Sequence, residues 1–287
     1  MTTAAGEWLP HPLTRQEFSS PVAPGTGWPD DPAAPDTPVA RDADDVRRLA
    51  QADSLAGPPV NSLAELDARV SVCSACPRLV TWREDVARDK RASFADQPYW
   101  GRPIPGWGDP EPSLLIVGLA PAANGGNRTG RIFTGDPSAD WLFASLHRTG
   151  WATQATSEHA GDGQRLLDAR MVATVRCAPP DNKPTAVERD TCAPWIAAEL
   201  ALLPTVRVVV ALGSFGWDGA VRSLVAAGAP APGRRPRFGH GAEVVLGPVT
   251  LIGCYHPSPH NTYTRRLTRE MTDEVFLRAR AVSGLGH

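Results

Sequence analysis

From residue 113 onward, near-continuous apolar runs alternate with segments whose apolar residues recur at helical spacing. Such apolar runs are typical of strands in a parallel sheet, which are buried on both faces. They are SLLIVGLA (113–120), MVATVR (171–176), RVVVALG (207–213) and EVVLGPVTLIGCYHP (243–257), the last with a Gly-Pro break. The predicted helices are 138–149, 185–203, 214–227 and about 268–283. The alternation predicts an α/β fold in which helices cover both faces of a mostly parallel sheet.

The first sixty residues lack this pattern. They are rich in Pro, Asp, Ala and Thr, as in PVAPGTGWPDDPAAPDTPVA (21–40), and they carry nine acidic residues against four arginines. Such a segment buries too little apolar surface to offset the entropy lost on ordering. We therefore predict an N-terminal extension over 1–60, extended or disordered, and one folded domain over 61–287. That domain opens with a helix at 62–70, where Ser62 and Glu65 form a capping-box pattern.

Composition favours a soluble intracellular protein. Apolar residues make up 42% of the 287 residues, which is enough for a core, and no apolar run is long enough to span a membrane. The N-terminus lacks the basic start and apolar stretch of a secretory signal. Five cysteines in a chain of this length do not resemble a secreted disulfide framework. We expect a cytoplasmic monomer with no membrane partner.

Three loops that follow predicted strands carry the polar residues suited to chemistry. Because parallel strands end at a common edge of the sheet, these loops are expected to meet there. The first, GLAPAANGGNRTGRIFTGD (118–136), is glycine-rich, so its backbone can approach a ligand closely. The second, CAPPDNKPT (177–185), holds Asn182 between prolines. The third, CYHPSPHNTYTRRLT (254–268), places His256 at a strand exit.

Four cysteines have spacing suited to a metal site. Cys73 and Cys76 stand two residues apart in SVCSACPRL (71–79), while Cys177 and Cys192 enclose fourteen residues. Four thiolates suit either a structural zinc ion or a [4Fe–4S] cluster, and spacing alone does not decide between them. The fifth cysteine, Cys254, is expected to be a small buried side chain beside His256.

Taken singly, these loops have plain structural explanations, such as tight turns or helix caps. Taken together and in this order, they resemble the uracil-DNA glycosylase superfamily. GLAPA (118–122) is similar to the first motif of family 5, the iron–sulfur branch with broad specificity, and HPSP (256–259) to the DNA-engaging second motif. The similarity also includes YWGRPIPGWGD (99–109), NRTGRIFTGD (127–136) and NKPT (182–185). It covers roughly residues 62–280.

The resemblance implies a three-layer α/β/α sandwich with about four strands in its sheet. It implies a DNA repair enzyme that flips a deaminated base out of the helix and hydrolyses its N-glycosidic bond, leaving an abasic site. Uracil, hypoxanthine and xanthine are the expected bases. The resemblance also favours a structural [4Fe–4S] cluster over zinc, with the ligands Cys73, Cys76, Cys177 and Cys192.

Roles in base recognition follow from the same resemblance. Phe133 would stack on the flipped base, and Asn182 would read its edge by hydrogen bonding and take part in catalysis. His256 would stabilise the departing base as charge builds on its carbonyl oxygen. Asn261 and Ala120 are grouped with the base-binding residues.

The first motif departs from most of the superfamily at the residue that positions the attacking water. Here the stretch reads Leu119-Ala120-Pro121, and none of these side chains accepts a proton. The nearest carboxylate of the loop is Asp136. We therefore assign Asp136 to water activation or to stabilisation of the oxocarbenium ion.

The formal net charge of −2 averages an acidic extension and a mildly basic body, so only local clusters are suited to bind phosphates. His260 stands where the second motif commonly has an apolar wedge, which leaves its role as a wedge open. For each arginine, a solvated surface position is the alternative to a DNA contact. The predicted DNA contacts are Arg128, Arg131, His260, Arg265, Arg266 and Arg269.

Two other functions are compatible with the residues. The first is an iron–sulfur electron-transfer or redox protein whose cluster is the active centre. The second is a non-catalytic DNA-binding module of the same fold. Release of free base from uracil-containing DNA distinguishes the enzyme from both.

Overall fold

The computed structural model describes residues 7–51 and 60–284. Within these ranges the strands are β1 (Leu9–Pro10), β2 (Glu17–Phe18), β3 (Trp107–Gly108), β4 (Leu114–Gly118), β5 (Ala169–Ala173), β6 (Val208–Leu212), β7 (Glu243–Leu246) and β8 (Val249–Cys254). The α-helices are α1 (Ala43–Ala50), α2 (Leu63–Ser71), α3 (Pro77–Asp89), α4 (Gly126–Thr129), α5 (Pro137–Arg148), α6 (Ala186–Ala201), α7 (Gly213–Ala226), α8 (Pro259–Tyr263) and α9 (Arg269–Ser283). No helix in the described part of the chain is long and apolar enough to cross a membrane.

The main sheet has six strands in the order β3-β5-β4-β6-β8-β7. The four central strands are parallel, and Ile116 of β4 pairs with Met171 on one side and Val210 on the other. The two edge strands, β3 and β7, are antiparallel to their neighbours. The predicted mostly parallel sheet is therefore confirmed, but the expected number of about four strands is too low. β3 has only two residues, and the Gly-Pro break divides the last apolar run into the hairpin β7–β8.

Alternate residues of the central strands face two separate apolar clusters. Leu114 and Ile116 pack on the side of α5 and α9. Leu115 and Val117 pack on the opposite side against α7. Because both faces of the sheet are buried by helices, the predicted three-layer α/β/α sandwich is confirmed.

Four of the five predicted helices begin where a side chain caps the helix; α7 has no such cap. The Asp136, Thr185 and Thr268 side chains accept backbone N–H groups at the starts of α5, α6 and α9. Ser62 does the same for α2 by accepting from the Glu65 N–H. The sequence patterns did not predict α1, α3, α4 or α8.

The N-terminal extension packs on the body over residues 7–51. Phe18 and Trp28 are buried in the same apolar cluster as Trp100 of the folded domain. Asp31 forms a bidentate ion pair with Arg102, with both oxygen–nitrogen distances at 2.9 Å. The segment ends in α1, which packs on α6. Residues 1–6 and 52–59 of the predicted extension lie outside the described residues.

Candidate active site

The carboxyl ends of β4, β5 and β8 meet around one cavity of about 280 Å³. This is the edge of the sheet at which the sequence predicted a site. Five predicted site residues line the cavity: Ala120, Phe133, Asp136, Asn182 and His256. The remaining lining residues are Leu119, Ala122, Ile132, Ser138, Ser258 and Pro259.

Asp136 is held by the helix that it caps. Its Oδ1 accepts the backbone N–H groups of Ser138 and Ala139 at 2.9 and 3.0 Å. Burial raises the pKa of this carboxyl, and the two N–H groups oppose the rise. The other oxygen, Oδ2, lies so close to Gly125 that a Cβ atom there would overlap it. The glycine of the first loop thus leaves room for the carboxylate at the cavity wall.

Phe133 forms an aromatic wall of the cavity. Its backbone has the left-handed φ of 48°, which is unusual for a bulky residue and typical of strained functional positions. Its ring packs on the backbone of Gly118 at the end of β4. The ring centroid lies 5.8 Å from that of His256, and the planes are tilted by 38°. Both aromatic side chains therefore face the same small volume.

His256 follows the end of β8, and it lines the cavity. Burial lowers the pKa of the ring to about 4, so the imidazole is neutral at pH 7. The backbone carbonyl of His256 accepts from the Asn261 Nδ2 at 2.8 Å and from the Ser258 N–H at 2.8 Å. These two bonds fix the turn after the strand. A neutral imidazole in this position can donate one hydrogen bond to a ligand.

Asn261 does not line the cavity, so its predicted role as a base-binding residue is not supported by its placement. Its side-chain amide is engaged by the carbonyl of His256. This amide holds the histidine loop in place. The residue type and its proximity to the site could be read from the sequence, but the direction of the side chain could not.

Asn182 reaches the cavity from a tight turn. It ends the 3₁₀ turn Pro180–Asn182, and both Asp181 and Asn182 have left-handed φ values of 54° and 55°. Asp and Asn adopt this conformation more readily than most residues. The residue is exposed, so its amide is free to meet a ligand that enters from solvent.

The four predicted metal ligands border a second, small cavity beside the sheet. Cys73 and Cys76 lie between α2 and α3, Cys177 follows β5, and Cys192 is in α6. The Arg83 Nη1 donates to the Cys177 Sγ at 3.0 Å. A backbone N–H also donates to the Cys192 Sγ at 3.4 Å. Hydrogen bonds to cysteine sulfur are a common feature of iron–sulfur sites.

The thiols are strongly affected by burial. Burial, followed by the neighbouring Cys177, raises the pKa of Cys73 to about 11 and that of Cys76 to about 12. Across the described ranges, no group of three or more His, Cys, Asp or Glu side chains is placed to hold a metal ion. A single zinc ion needs its sulfur ligands about 2.3 Å from the metal, and hence close to one another. A four-iron cluster keeps its thiolates further apart, because each binds a different iron.

A family model described as the Uracil DNA glycosylase superfamily matches residues 105–280, more than half of the chain. The chain belongs to the uracil-DNA glycosylase superfamily. It is 55% identical over 277 residues to the Type-5 uracil-DNA glycosylase of Mycobacterium tuberculosis, covering 96% of this chain and 99% of the relative. The protein of that name from Thermus thermophilus is 49% identical over 217 residues, covering 75% and 96%. The resemblance to family 5 is confirmed.

Arg128 and Arg131 are not at the surface, although both were predicted to contact DNA. The Arg128 guanidinium donates to the carbonyl of Gly135 and to the Gln97 Oε1, both at 2.9 Å. Arg131 pairs with Asp162 at 2.6 Å. Both side chains are buried, and they pack on the rings of Phe94 and Trp107 respectively. They brace the glycine-rich loop next to Asp136 and are not available to phosphates.

The other predicted DNA contacts are exposed beside the cavity. His260 lies on α8, Arg265 follows that helix, and Arg269 begins α9. Arg266 stacks over the Tyr255 ring, with 4.9 Å from its Cζ atom to the ring centroid. This face is continuous with the histidine loop. Its placement is suited to a glycosylase that must hold DNA around a flipped base.

Tyr263 is a surface residue that the sequence analysis missed. It is 80% exposed, which is unusual for a large aromatic side chain. It borders a cleft of about 260 Å³ between α5 and α8, together with Trp141 and Arg269. The signal in the sequence was a tyrosine on the polar segment directly after the second motif.

Proposed function

We propose that this protein hydrolyses the N-glycosidic bond of uracil in DNA and leaves an abasic site. The observation that carries the proposal is one cavity that combines a half-buried carboxylate, Asp136, with a neutral imidazole, His256. The Phe133 ring supplies a wall on which a planar base can stack. Because a base inside the duplex is out of reach of such a cavity, the nucleotide must be flipped into it.

Asp136 acts on the sugar side of the bond. Its Oδ1 is occupied by two backbone N–H groups, and Oδ2 accepts no hydrogen bond from the described residues. Oδ2 is therefore the atom that orients and deprotonates the attacking water or stabilises the oxocarbenium ion. The Ser138 and Ala139 amides keep the carboxylate in one orientation as it acts.

His256 acts on the leaving base. When the glycosidic bond breaks, negative charge builds on a carbonyl oxygen of the base, and an N–H donor placed there stabilises it. Since the imidazole is neutral, it stabilises the departing base through one N–H hydrogen bond and not through a positive charge. Asn261 and the Ser258 N–H position the ring through the His256 carbonyl.

The cavity is suited to several deaminated bases. Asn182 is the only amide side chain among the described residues that line it, so few groups read the edge of the base. Hypoxanthine and xanthine carry a carbonyl oxygen as uracil does. A site that acts by stabilising negative charge on this oxygen of the leaving base accepts all three. Asn182→Ala should slow excision of uracil more than that of hypoxanthine, measured on matched duplexes.

We propose a structural [4Fe–4S] cluster held by Cys73, Cys76, Cys177 and Cys192, with zinc as the alternative. The four thiols border one cavity, and N–H donors point at the sulfur atoms of Cys177 and Cys192. When bound, the cluster supplies cross-links between three chain segments: the loop of Cys73 and Cys76, the loop after β5, and α6. Cys177 leads directly into the loop of Asn182, so the cross-links support that loop. Brown colour and about four irons per chain would support the cluster, whereas bound zinc would contradict it.

The activity is tested with the purified full chain and a duplex that contains one uracil. We expect free uracil to be released and the strand to break only after alkali, as for a hydrolase that leaves an abasic site. Binding of the duplex without release of base would instead support a non-catalytic DNA-binding module. A redox change of bound iron with neither binding nor release would support an electron-transfer protein.

A further inference from the structure

Arg83 of α3 is a buried cation beside the cysteine cavity. It is 4% exposed. Its Nη1 donates to the Cys177 Sγ at 3.0 Å and to the backbone carbonyl of Cys73 at 3.1 Å. Its Nε has no hydrogen-bond partner in the described part of the chain. The guanidinium is thus directed at the cysteine segment rather than at solvent.

Arg83 has no close carboxylate partner among the described residues, unlike several other buried arginines. Arg102, Arg131 and Arg170 each pair with an aspartate at 2.9 Å or less. The ion pair of Arg83 is a 4.0 Å contact with Glu84, whose carboxylate also binds Arg88 at 2.7 Å. A buried charge without a counter-ion is strongly destabilising, so an anion is expected near Arg83.

Arg176 adds a second incompletely paired guanidinium at the same cavity. It is 1% exposed, and one of its nitrogens pairs with Glu199. Its Nε and Nη1 have no partner among the described residues. Its backbone N–H donates to the Cys192 Sγ. Two cationic side chains and two N–H···S contacts therefore surround the four thiols, as a negatively charged group requires.

We propose that Arg83 is the counter-ion of the cluster and a positioning residue that retains it and raises its reduction potential. The proposal rests on the proposed [4Fe–4S] cofactor, whose four thiolates give it a net negative charge. A positive charge next to Cys177 stabilises both the bound cluster and its more negative, reduced form. A hydrogen bond to a ligating sulfur acts in the same direction.

The same residue connects the cluster to the glycine-rich loop. The Arg83 carbonyl accepts from the Asn127 Nδ2 at 3.0 Å, and Asn127 lies buried in α4. That loop continues to Asp136. Arg83 therefore acts on the active site only through other residues, and activity alone is not a suitable measure of its role.

The experiment compares the wild-type full chain with Arg83→Gln and Arg83→Lys, purified without oxygen. Glutamine keeps a donor for the Cys177 Sγ but removes the charge, whereas lysine keeps the charge but loses the planar fork. The readouts are the rate of iron loss to a chelator and the midpoint potential at an electrode, which supplies the electron. Arg88→Gln is the matched control, since Arg88 is an exposed arginine of the same helix.

For Arg83→Gln we expect iron loss about 10–100-fold faster than in the wild type, which is the typical effect of removing an outer-shell partner. Its midpoint potential should fall, and Arg83→Lys and Arg88→Gln should stay near the wild type. Unchanged iron loss and potential in Arg83→Gln would overturn the counter-ion role while leaving the cofactor in place. If Arg83→Gln does not fold, Arg83→Lys decides: a wild-type potential supports the role of the charge, and a fallen potential overturns it. A wild-type chain without iron would overturn the cofactor proposal itself.

Discussion

A Cβ atom at Gly118 would lie 2.6 Å from the Cε2 atom of Phe133, so the phenyl ring packs directly on the backbone at the end of β4. The next nearest group, the Val172 carbonyl, would be 3.7 Å away. Only the aromatic ring therefore prevents a side chain at this position. Gly118, the last residue of β4, therefore sets how far the Phe133 ring extends toward the cavity.

Gly118→Ala should impair excision without unfolding the protein. The added methyl group displaces the Phe133 ring toward the cavity, and a misplacement of about 1 Å at a site can lower the rate by about 10²-fold. We expect single-turnover release of uracil to slow by at least about tenfold. Gly233→Ala is the matched control, because a Cβ atom there meets nothing within 4 Å. Equal rates for the two variants would show that the Phe133 position does not matter.

The pH dependence of the rate should have an acid limb and no alkaline limb near neutrality. Burial raises the pKa of Asp136 above its ordinary 3.8, so water activation is lost as the pH falls through that raised value. His256 has a pKa of about 4 and stays neutral from about pH 6 to pH 9. Single-turnover rates over this range should be nearly constant. If the rate instead falls as the pH rises through the ordinary histidine pKa of about 6.5, His256 acts as a cation.

Salt dependence of binding should identify the DNA-contacting arginines. Each phosphate contact that is lost reduces the slope of log affinity against log salt by about 0.9. We expect this reduction for Arg265→Gln, Arg266→Gln and Arg269→Gln on undamaged duplex. Arg47→Gln, an exposed arginine on α1, should leave the slope unchanged. The assignment fails if the α1 variant changes the slope as much as the other three.

Acid should weaken the packing of the N-terminal extension. The rings of His11 and His159 lie 4.3 Å apart and are buried, and burial lowers their pKa values to about 4 and about 3. The unfolded chain takes up these protons below about pH 6.5 and the folded protein does not. The free energy of unfolding therefore falls as the pH drops from about 6.5 toward 4, by about 1.4 kcal/mol per unit for each ring.

His159→Phe removes one titrating ring and keeps its aromatic contacts. Its loss of unfolding free energy between about pH 7 and pH 4.5 should be about 2 kcal/mol smaller than that of the wild type. Urea unfolding at the two pH values measures the difference. The exposed His147→Gln serves as the control. An identical loss in all three proteins would contradict the role of the buried pair.

The sequence predicted the fold where apolar periodicity and helix caps agreed. The four central strands and α2, α5, α6 and α9 follow from such patterns. The two-residue β3 was missed because its segment is rich in Gly and Pro, and α1 because its surroundings are acidic and proline-rich. α1 is held by packing of Val46 and Leu49 against α6, which no local pattern shows.

The residue types of the site could be predicted, but not all side-chain directions. Phe133, Asp136 and His256 line the cavity as expected, since His256 follows β8, Asp136 caps α5 and the Phe133 ring packs on Gly118. Arg128 and Asn261 point elsewhere, because a loop can turn a polar side chain inward to satisfy its own backbone carbonyls. Sequence spacing contains no information about that choice.

The most direct measurement is single-turnover release of free uracil by the wild type, Asp136→Asn and His256→Ala. Asparagine still caps α5, so the first variant removes the carboxylate chemistry without removing the cap. We expect the wild type to release uracil and each variant to be slower by about 10²-fold or more, with folding unchanged. Wild-type rates in both variants would contradict the assignment of this cavity as the active site.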